Sequence, residues 1–408
     1  MDDDMSKLRR VAELVRRSRQ QGPTEMVGRV VRRLAARLDV AALDFPLLPG
    51  DIADSTRLGE QPEARLITGD VRFTIGWICT PPGRGSGGHT TLFRMVEALE
   101  KRGHRCILYL YDRHGGDLAR QTAVIRENWP QLKAEVRQAT VSIDGADAYV
   151  ASSWDTAHVL ASRNRVPGAR LYFIQDYEAL FYPKGTLSAL AEDSYRFGFR
   201  NIALGDMVAR NLDRRGIAHD TVPFGCDTEV YHLVDRPRPR SGVVFYTKPG
   251  SDRRGYLLGR MALEDFHRRH PEEPIHLYGD ASDEWDIPTI QHGKLSPVEL
   301  NDLYNSAKAG LAISFTNVSL VAEEMLAAGM NPIVTDEPDV RSDLPNENAY
   351  WALPTPGGLS DALSAAVSAP DSPEHRAHIA ASVRRGWGPA QEGVAAIILD
   401  EMPEVGSA

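Results

Sequence analysis

The sequence predicts an α/β protein built from two parallel, doubly wound sheets. Short apolar segments alternate with amphipathic ones over residues 70–385, and this alternation is typical of parallel strands joined by helices. The pattern restarts at "SGVVFYTKPG", directly after the proline- and arginine-rich "RPRPR". With 408 residues, the chain is also longer than one hydrophobic core usually serves. We therefore expect two Rossmann-like domains.

The first half is predicted to begin with the strand "VRFTIGWIC", which leads through a glycine-rich loop into a helix over Thr90–Arg102. Short apolar runs indicate buried strands, and the segments between them repeat their apolar residues at helical spacing. The next elements are "RCILYLYD", a helix around 117–127, "DAYVASS", a helix from Asp155, "RLYFIQDYE", "RNIALGD" with a helix after it, and "DTVPFGCD".

The second half repeats this order. A strand in "SGVVFYTKPG" precedes a helix over Gly255–His270, and "PIHLYGD" is the next strand. In "SPVELNDLYNSA", Ser296 suits the N-cap of a helix and Pro297 its first position. The later elements are "AGLAISFT", "SLVAEEMLAAG" ending at Gly329, "NPIVTD", "GLSDALSAAVSA" and the tail helices. Sheets of this type bind ligands at the carboxyl ends of their strands, so two facing sheets would hold a ligand in the cleft between them.

Charge is distributed unevenly along the chain. The formal net charge is −9, but residues 5–37 contain ten basic and two acidic side chains, a net of +8, so the other residues sum to −17. The negative charge of the residues outside 5–37 argues against a protein that binds nucleic acid. No apolar run reaches the ~18–20 residues of a membrane span, and the N-terminus lacks the apolar region of a signal peptide.

The basic segment carries apolar residues on one helical face, at Leu8, Val11, Leu14 and Val15 and again over residues 26–34. Two interpretations remain open. The helix could be solvated and dock on the protein itself, or it could lie on anionic lipid, where each surface cation contributes ~1 kcal/mol.

The three cysteines are scattered singly and match neither a zinc site nor a disulfide framework. Cys79 and Cys106 lie in apolar runs and are predicted to be packing residues. A chain of this kind is expected in the reducing cytoplasm.

The loop after the first strand contains a G-x-G-x-x-G, formed by Gly83, Gly85 and Gly88, and a second strand-like run ends in Asp112. Taken alone, this pattern indicates a dinucleotide site and an NAD-dependent oxidoreductase. Pro81 and Pro82 interrupt the tight turn from strand to helix that such a site needs. Gly87 and Gly88 are better positioned, because their bare backbone can approach a phosphate or a sugar at the start of the helix.

An ordered set of motifs lies in the second half: "FGCDTEVYH", "YTKPGSDRRG", "HLYGD", "GKLSPVELNDLYNSAKAGLAISFT" and "SLVAEEMLAAGMNPIVTD". Together they resemble the nucleotide-sugar half of the retaining GT-B glycosyltransferases of family 4. Upstream, "GWICTPPGRGSGGHTTLFRMVEALEKRGH" and "YFIQDYEALFYPKG" resemble bacterial members that build cell-surface polysaccharides, and the rhamnosyltransferases of surface-layer and O-antigen glycans are the most similar. The resemblance covers about residues 70–390 and implies a GT-B fold, with two Rossmann-like domains facing across a cleft.

The expected domains are a basic helical extension over 1–45, a connector over 46–69, an N-terminal acceptor domain over 70–235, a C-terminal nucleotide-sugar domain over 236–385, and a C-terminal helix in 386–408 that packs back on the N-terminal domain.

The resemblance assigns the donor site to the second domain. Lys248 and Arg253 or Arg254 correspond to the basic pair that holds the donor pyrophosphate and stabilises it as it leaves. Gly279 and Asp280 would border the nucleobase pocket.

Glu324 corresponds to the second glutamate of the family's E-x7-E motif, which binds ribose hydroxyls, and its neighbour Glu323 is expected to be a surface charge of the helix. The first glutamate of that motif is missing, and Thr316 stands in its position. Thr316, Asn317 and Ser319 are left to supply neutral hydrogen bonds to the sugar. This change is compatible with a deoxysugar such as L-rhamnose, carried on dTDP.

In the first domain, many family members carry His-Asp where this chain has Gln175-Asp176. An amide can bind a sugar hydroxyl but cannot share a proton near neutral pH. Asp176 and Glu178 are candidates for positioning the acceptor, although Asp176 could instead cap the following turn.

The resemblance implies retention at the anomeric carbon, by front-face attack in which the leaving phosphate takes the acceptor's proton. Past the initial "MDDD" the chain has no Asp-x-Asp motif, so we expect neither a metal ion nor a cofactor. The expected partners are a nucleotide-sugar, a glycan acceptor that could be lipid-linked, and an anionic membrane surface at the inner face of the cell membrane. A catalytically silent GT-B subunit that binds glycan is the third hypothesis, beside the oxidoreductase.

Overall fold

The computed structural model describes residues 45–59, 72–235, 239–280, 284–317, 320–383 and 386–402. The basic extension expected over 1–45 lies outside these residues, apart from Phe45. Both sheets belong to one compact unit that begins at Asp51.

The first sheet contains seven parallel strands in the described part of the chain: β1 (Thr74–Cys79), β2 (Arg105–Leu110), β3 (Glu135–Gln138), β4 (Ala148–Ala151), β5 (Ala169–Ile174), β6 (Arg200–Leu204) and β7 (His219–Val222). Their order across the sheet is β3-β2-β1-β4-β5-β6-β7. The central strands are buried along almost their whole length, because helices cover both faces of a parallel sheet.

Within the residues that the structure describes, the second sheet contains six parallel strands: β8 (Val243–Thr247), β9 (Ile275–Gly279), β10 (Ile290–Gly293), β11 (Ala309–Leu311), β12 (Asn331–Thr335) and β13 (Tyr350–Ala352). They run in the order β10-β9-β8-β11-β12-β13. The predicted architecture of two Rossmann-like sheets is therefore confirmed.

Twelve helices accompany the sheets in the described residues: α1 (Gly87–Lys101), α2 (Leu118–Asn128), α3 (Trp154–Arg163), α4 (Thr186–Ser194), α5 (Asp206–Asp213), α6 (Tyr256–Arg269), α7 (Pro297–Tyr304), α8 (Leu320–Ala327), α9 (Pro338–Asp343), α10 (Pro356–Ser368), α11 (Pro373–Ala381) and α12 (Gly388–Asp400). Helix α1 buries Leu92, Phe93, Val96 and Leu99, which share one helical face. Cys79 and Cys106 are buried, as predicted.

Helix α12 returns from the second sheet and packs against α1 and β7 of the first. The Gln391 amide donates to the Arg94 carbonyl at 2.9 Å. Arg200 forms ion pairs with Asp400 at 2.7 Å and with Glu401 at 3.0 Å. The two sheets are thus connected by more than the chain that joins them.

The start of α1 differs from the expectation. The helix was predicted to begin at Thr90, but it begins at Gly87, because the Ser86 hydroxyl caps it by accepting from the His89 amide. The two glycines of the loop therefore form the first turn of the helix rather than the loop before it.

The N-cap predicted at Ser296 is present. Its hydroxyl accepts from the Glu299 amide at 3.4 Å, and the Glu299 carboxylate accepts from the Ser296 amide at 2.8 Å. This reciprocal arrangement is a capping box.

We predict that Ser296→Ala lowers the free energy of unfolding by about 1 kcal/mol, because it removes a hydrogen bond to an amide that has no other partner in the first turn of α7. Urea unfolding measures the change, and Ser241→Ala at an exposed position is the matched control. Equal unfolding midpoints for the two variants would contradict the prediction.

Candidate active site

Three basic side chains follow β8, and we name them the cation cluster: Lys248, Arg253 and Arg254. Lys248 is the first residue after the strand, and the two arginines lie in a one-turn 3₁₀ helix. Gly255 takes the chain from this turn into α6 with a φ of +62°, and a Cβ at this position would lie 2.5 Å from the Ile313 side chain. The turn that presents the cation cluster therefore requires glycine.

The members of the cation cluster are close enough to affect one another. Burial lowers the pKa of Lys248, and the charges of Arg254 and Arg253 lower it further. Burial and the charge of Arg253 also lower the pKa of Arg254. Among the described residues, the acidic side chain that forms an ion pair with the cluster is Asp176. Positive charge with so little compensation favours an anionic ligand.

Two of the three residues predicted for the sugar subsite lie beside these arginines. The Arg253 guanidinium donates to the Thr316 hydroxyl at 3.2 Å, and that of Arg254 lies 3.5 Å from the Asn317 amide oxygen. Ser319, the third, lies outside the described residues.

Asp176 connects the first domain to this site. It follows β5, and its Oδ2 accepts from the Thr316 hydroxyl at 3.2 Å and from Arg253 at 3.5 Å. The side chain belongs to a residue that is only 5% exposed. Burial raises its pKa to about 7, although the two arginines oppose the rise. A carboxyl group from the first domain thus contacts the predicted pyrophosphate site of the second.

Phe181 is a neighbour of the site that the sequence did not single out. The Arg253 guanidinium carbon lies 4.3 Å from the centre of its ring, a cation–π contact between the domains. In the sequence, Phe181 is one of two adjacent aromatic residues in "EALFYPKG". Nothing in that pair indicates a contact with a distant arginine.

Gly87 and Gly88 open α1 and are exposed. A Cβ on Gly88 would lie 3.9 Å from the Gln175 amide oxygen, so the start of the helix borders the carboxyl end of β5. His89 fixes this turn, because its ring nitrogens contact the Thr80 carbonyl at 2.9 Å and the Ser86 hydroxyl at 2.8 Å. The free amides of the first turn can bind an anion or a sugar oxygen.

Gly279 is the last residue of β9, and Asp280 follows it. Gly279 has a φ of +116°, and a Cβ there would lie 2.4 Å from the Thr247 carbonyl oxygen. The Asp280 amide donates to that same oxygen at 2.9 Å. The Asp280 carboxylate lies 3.2 Å from the Lys294 ammonium group, and both side chains are largely exposed. The predicted border of the nucleobase pocket is therefore a tight turn next to Lys248.

Glu324 is half-buried on α8. Burial raises its pKa to about 7, against the opposing effects of a hydrogen bond from Tyr304 and the charge of Arg94. The Tyr304 and Tyr278 hydroxyls are 2.7 Å apart. Burial and the charge of Glu324 raise the pKa of Tyr278, while Arg254 lowers it. Tyr278 thus lies within electrostatic reach of both Glu324 and Arg254, so these predicted donor residues border one region.

Arg94 of α1 contacts two distant segments of the chain, the one after β7 and the one before α12. It forms an ion pair with Asp227 at 2.9 Å, and its guanidinium carbon lies 5.3 Å from the centre of the Trp387 ring. This residue was not predicted, because nothing in an amphipathic helix distinguishes the arginine that contacts a distant segment of the chain.

The surface position expected for Glu323 is wrong. Only 7% of this residue is exposed. Helix α8 packs against α7, α11 and β12, so no side of it is left for a solvated charge next to Glu324.

Glu178 lies beneath the site rather than beside the cation cluster. Its Oε2 accepts from the Trp154 amide at 2.5 Å and from the Tyr172 hydroxyl at 3.2 Å. The backbone amide of Glu178 donates to the Tyr195 hydroxyl at 2.8 Å. Burial, followed by the charge of Asp155, raises its pKa to about 8. These contacts hold the loop after β5 against the start of α3.

Within the described residues, no group of three or more His, Cys, Asp or Glu side chains could hold a metal ion. In the same part of the chain, we find no helix with the length and apolar character that crossing a bilayer requires.

Sequence comparisons match this chain to two family models. The model described as "WsaF, N-terminal domain" matches residues 130–207, and "WsaF, C-terminal domain" matches residues 241–364. The O-antigen biosynthesis protein RfbC of Myxococcus xanthus is 31% identical over 317 residues, which make up 72% of this chain and 24% of that protein. The chain therefore spans about a quarter of the length of this relative.

Solved structures show a similar fold. HepE of Anabaena, crystallised with UDP and glucose, has a TM-score of 0.62 at 13% identity, over 81% of this chain and 100% of its own. A glycosyltransferase from Rickettsia africae has a TM-score of 0.60 at 11% identity, over 81% of this chain and 99% of its own. These likenesses confirm the GT-B fold that the sequence predicted.

Glu178 should make the stability of the protein depend on pH. Its pKa is raised in the folded state, so the stabilisation is present at low pH and is lost as the pH rises from its ordinary value of 4.5 through about 8. One proton of difference corresponds to a slope of about 1.4 kcal/mol per pH unit, as an upper limit. We predict that Glu178→Gln flattens the fall in the free energy of unfolding between pH 5.5 and 8.5.

Urea unfolding at several pH values gives this slope, and the exposed Glu229→Gln is the control. If Glu178→Gln and the wild type lose stability in parallel as the pH rises, Glu178 does not hold a proton in the fold.

Proposed function

We propose that this protein is a glycosyltransferase, which transfers a sugar from a nucleotide-sugar donor to a glycan acceptor. The observation that carries the proposal is the cation cluster of Lys248, Arg253 and Arg254 at the carboxyl end of β8, with Asp176 as its ion-pair partner in the described chain. Three neighbouring cations match the charge of a diphosphate. The tight turn at Gly279 and the carboxylate of Glu324, which can accept from ribose hydroxyls, suit the nucleoside attached to it.

The reaction requires this site mainly to position the substrates and to stabilise charge. The cation cluster would stabilise the nucleoside diphosphate as it departs, and the amides at the start of α1 would add further donors for oxygen. We propose that these groups suffice without a metal ion. We also propose that configuration is retained by front-face attack, which needs no strong base because the leaving phosphate accepts the acceptor's proton.

The finer assignments extend this proposal. The donor is dTDP-rhamnose, because Thr316 stands in the position of the family's glutamate and so changes the contacts that the sugar subsite offers. The acceptor is a cell-surface glycan, an assignment supported by the similarity to an O-antigen biosynthesis protein. If that acceptor is lipid-linked, the ten basic side chains in residues 5–37 would bring the enzyme to the inner face of the cell membrane.

The oxidoreductase alternative has less support. A dinucleotide site needs the acidic residue after the second strand to face the ribose. Here Asp112 is occupied within its own loop, where it accepts from the amides of His114 at 2.9 Å and Gly116 at 3.0 Å and from Gln121 at 2.7 Å. These contacts leave Asp112 poorly suited to bind a ribose.

We predict that Lys248→Ala weakens the binding of UDP or dTDP by about 10-fold or more, because it removes one charge-assisted contact to the diphosphate. Calorimetric titration measures the affinity. Lys101→Ala is the matched control, since this lysine lies at the opposite end of α1 and pairs with Glu97. Unchanged affinity in Lys248→Ala would remove this residue from the site, and binding of NAD(H) in place of UDP and dTDP would overturn the proposal.

We further predict that the purified protein slowly hydrolyses a matching nucleotide-sugar, and that the rate is unaffected by EDTA, because cations of the protein stabilise the leaving group. The release of UDP, GDP or dTDP from UDP-glucose, GDP-mannose or dTDP-rhamnose, respectively, is followed by chromatography. A protein that binds the donors but releases no nucleotide would instead fit the silent glycan-binding subunit. Loss of hydrolysis with EDTA, restored by Mg²⁺, would contradict the metal-free reaction.

A further inference from the structure

The carboxyl group of Asp176 has two different oxygen environments. Oδ2 accepts from Thr316 and Arg253, two residues of the second domain. Oδ1 is buried and has no hydrogen bond of ordinary geometry among the residues that the structure describes, although the Tyr177 amide is near enough to lower the pKa of the carboxyl group. A buried carboxylate oxygen without a donor is costly in a folded protein, and this one lies beside the cation cluster, where a bound ligand can supply the missing donor.

The surroundings of Oδ1 limit what that ligand can be. Its neighbour Arg253 belongs to the cation cluster, to which we assign the diphosphate. In a nucleotide-sugar, the group bonded directly to the outer phosphate is the sugar ring. A hydroxyl of that ring is a neutral donor of the kind that a carboxylate oxygen accepts. The sugar is therefore the part of the donor that can reach Oδ1 while its phosphate contacts Arg253.

The position of Thr316 strengthens the argument. In this chain, residue 316 cannot supply a carboxylate to the sugar subsite, and its hydroxyl instead donates to the carboxylate of Asp176. The subsite therefore does contain a carboxylate, which comes from the opposite domain. The Thr316 hydroxyl and Arg253 hold that carboxylate in place through the same oxygen, and the other oxygen is left for a ligand.

We propose, on the basis of the function proposed above, that Asp176 binds a hydroxyl of the donor sugar and so replaces, from the first domain, the carboxylate that residue 316 lacks. This assignment differs from the acceptor role that the sequence suggested for Asp176. It also makes donor binding depend on both domains, because the sugar is held by the first and the nucleoside diphosphate by the second.

The test compares the affinity for a nucleotide-sugar with that for the matching nucleoside diphosphate, using dTDP-rhamnose with dTDP and UDP-glucose with UDP. Calorimetry without any acceptor gives both dissociation constants for each variant. In Asp176→Asn, we expect the affinity for the nucleotide-sugar, relative to the diphosphate, to fall by about 10-fold, as for a lost hydrogen bond to a charged group. The affinity for the diphosphate alone should stay the same or rise, since a neighbouring negative charge is removed.

Thr316→Val provides a second variant that keeps the carboxylate but removes the hydroxyl that orients it, and we expect a smaller fall in the same ratio. Asp343→Asn is the matched control. Asp343 is also a buried carboxyl group between the domains, but it accepts from the amides of Asp206 and Met207 rather than from the cation cluster. This control should leave the ratio unchanged.

The proposal is overturned if Asp176→Asn binds the diphosphate and keeps the wild-type ratio. It is also overturned if Asp343→Asn lowers the ratio as much as Asp176→Asn does, because the effect would then reflect the domain interface in general. Failure of the proposed function would look different: the wild type itself would bind neither the nucleotide-sugars nor the diphosphates.

Discussion

The site depends on holding three cations together at the end of β8 with one carboxyl group beside them. Lys248, Arg253 and Arg254 repel one another, and burial adds to the cost of their charges. The fold keeps them in position through the Gly255 turn and through the Arg253 carbonyl, which accepts from the Phe315 amide at 3.0 Å. The rest of the fold imposes this arrangement, and an anion that binds there would relieve the repulsion.

Several contacts away from the cation cluster join the two sheets. Asp343 accepts from the first amides of α5, and Arg214 at the end of α5 pairs with Asp339 at 2.6 Å, so both ends of α5 are linked to helix α9 across the domains. The pKa of Asp343 is raised to about 7 by burial, despite these two amides. Arg94 and α12 make further contacts on the first sheet. These contacts hold the two sheets together in one compact unit.

The carboxyl groups near the site share one property, which follows from their burial. Asp176, Glu178 and Glu324 have pKa values raised into the range of about 7 to 8, so each can gain or lose a proton near neutral pH. For Glu178 the consequence is structural, because its contacts lie within the first domain. For Asp176 and Glu324 the charge state should affect how a sugar hydroxyl is bound, since an ionised carboxylate is the stronger acceptor.

Much of the fold could be predicted from the sequence, because the central strands are continuous apolar runs and several helices carry caps such as Ser296. The edge strands β3, β10 and β13 were not predicted, since "EVRQ", "IQHG" and "YWA" are too short or too polar to differ from loops. The loop positions of the cation cluster followed from the family motifs. The contact of Asp176 with Arg253 did not, because it joins residues 77 positions apart and depends on how the two sheets face each other. Glu323 was misjudged for the same kind of reason, since its burial depends on the elements that pack around α8.

The central claim is that a nucleoside diphosphate binds between the sheets at the cation cluster. A crystal structure of the protein with UDP or dTDP tests it most directly. We predict density for both phosphates within hydrogen-bond distance of Lys248, Arg253 or Arg254, with the ribose hydroxyls against Glu324 and the base beside Gly279. A nucleotide bound instead at the Gly83–Gly88 loop with its ribose on Asp112, leaving the cation cluster empty, would contradict the account.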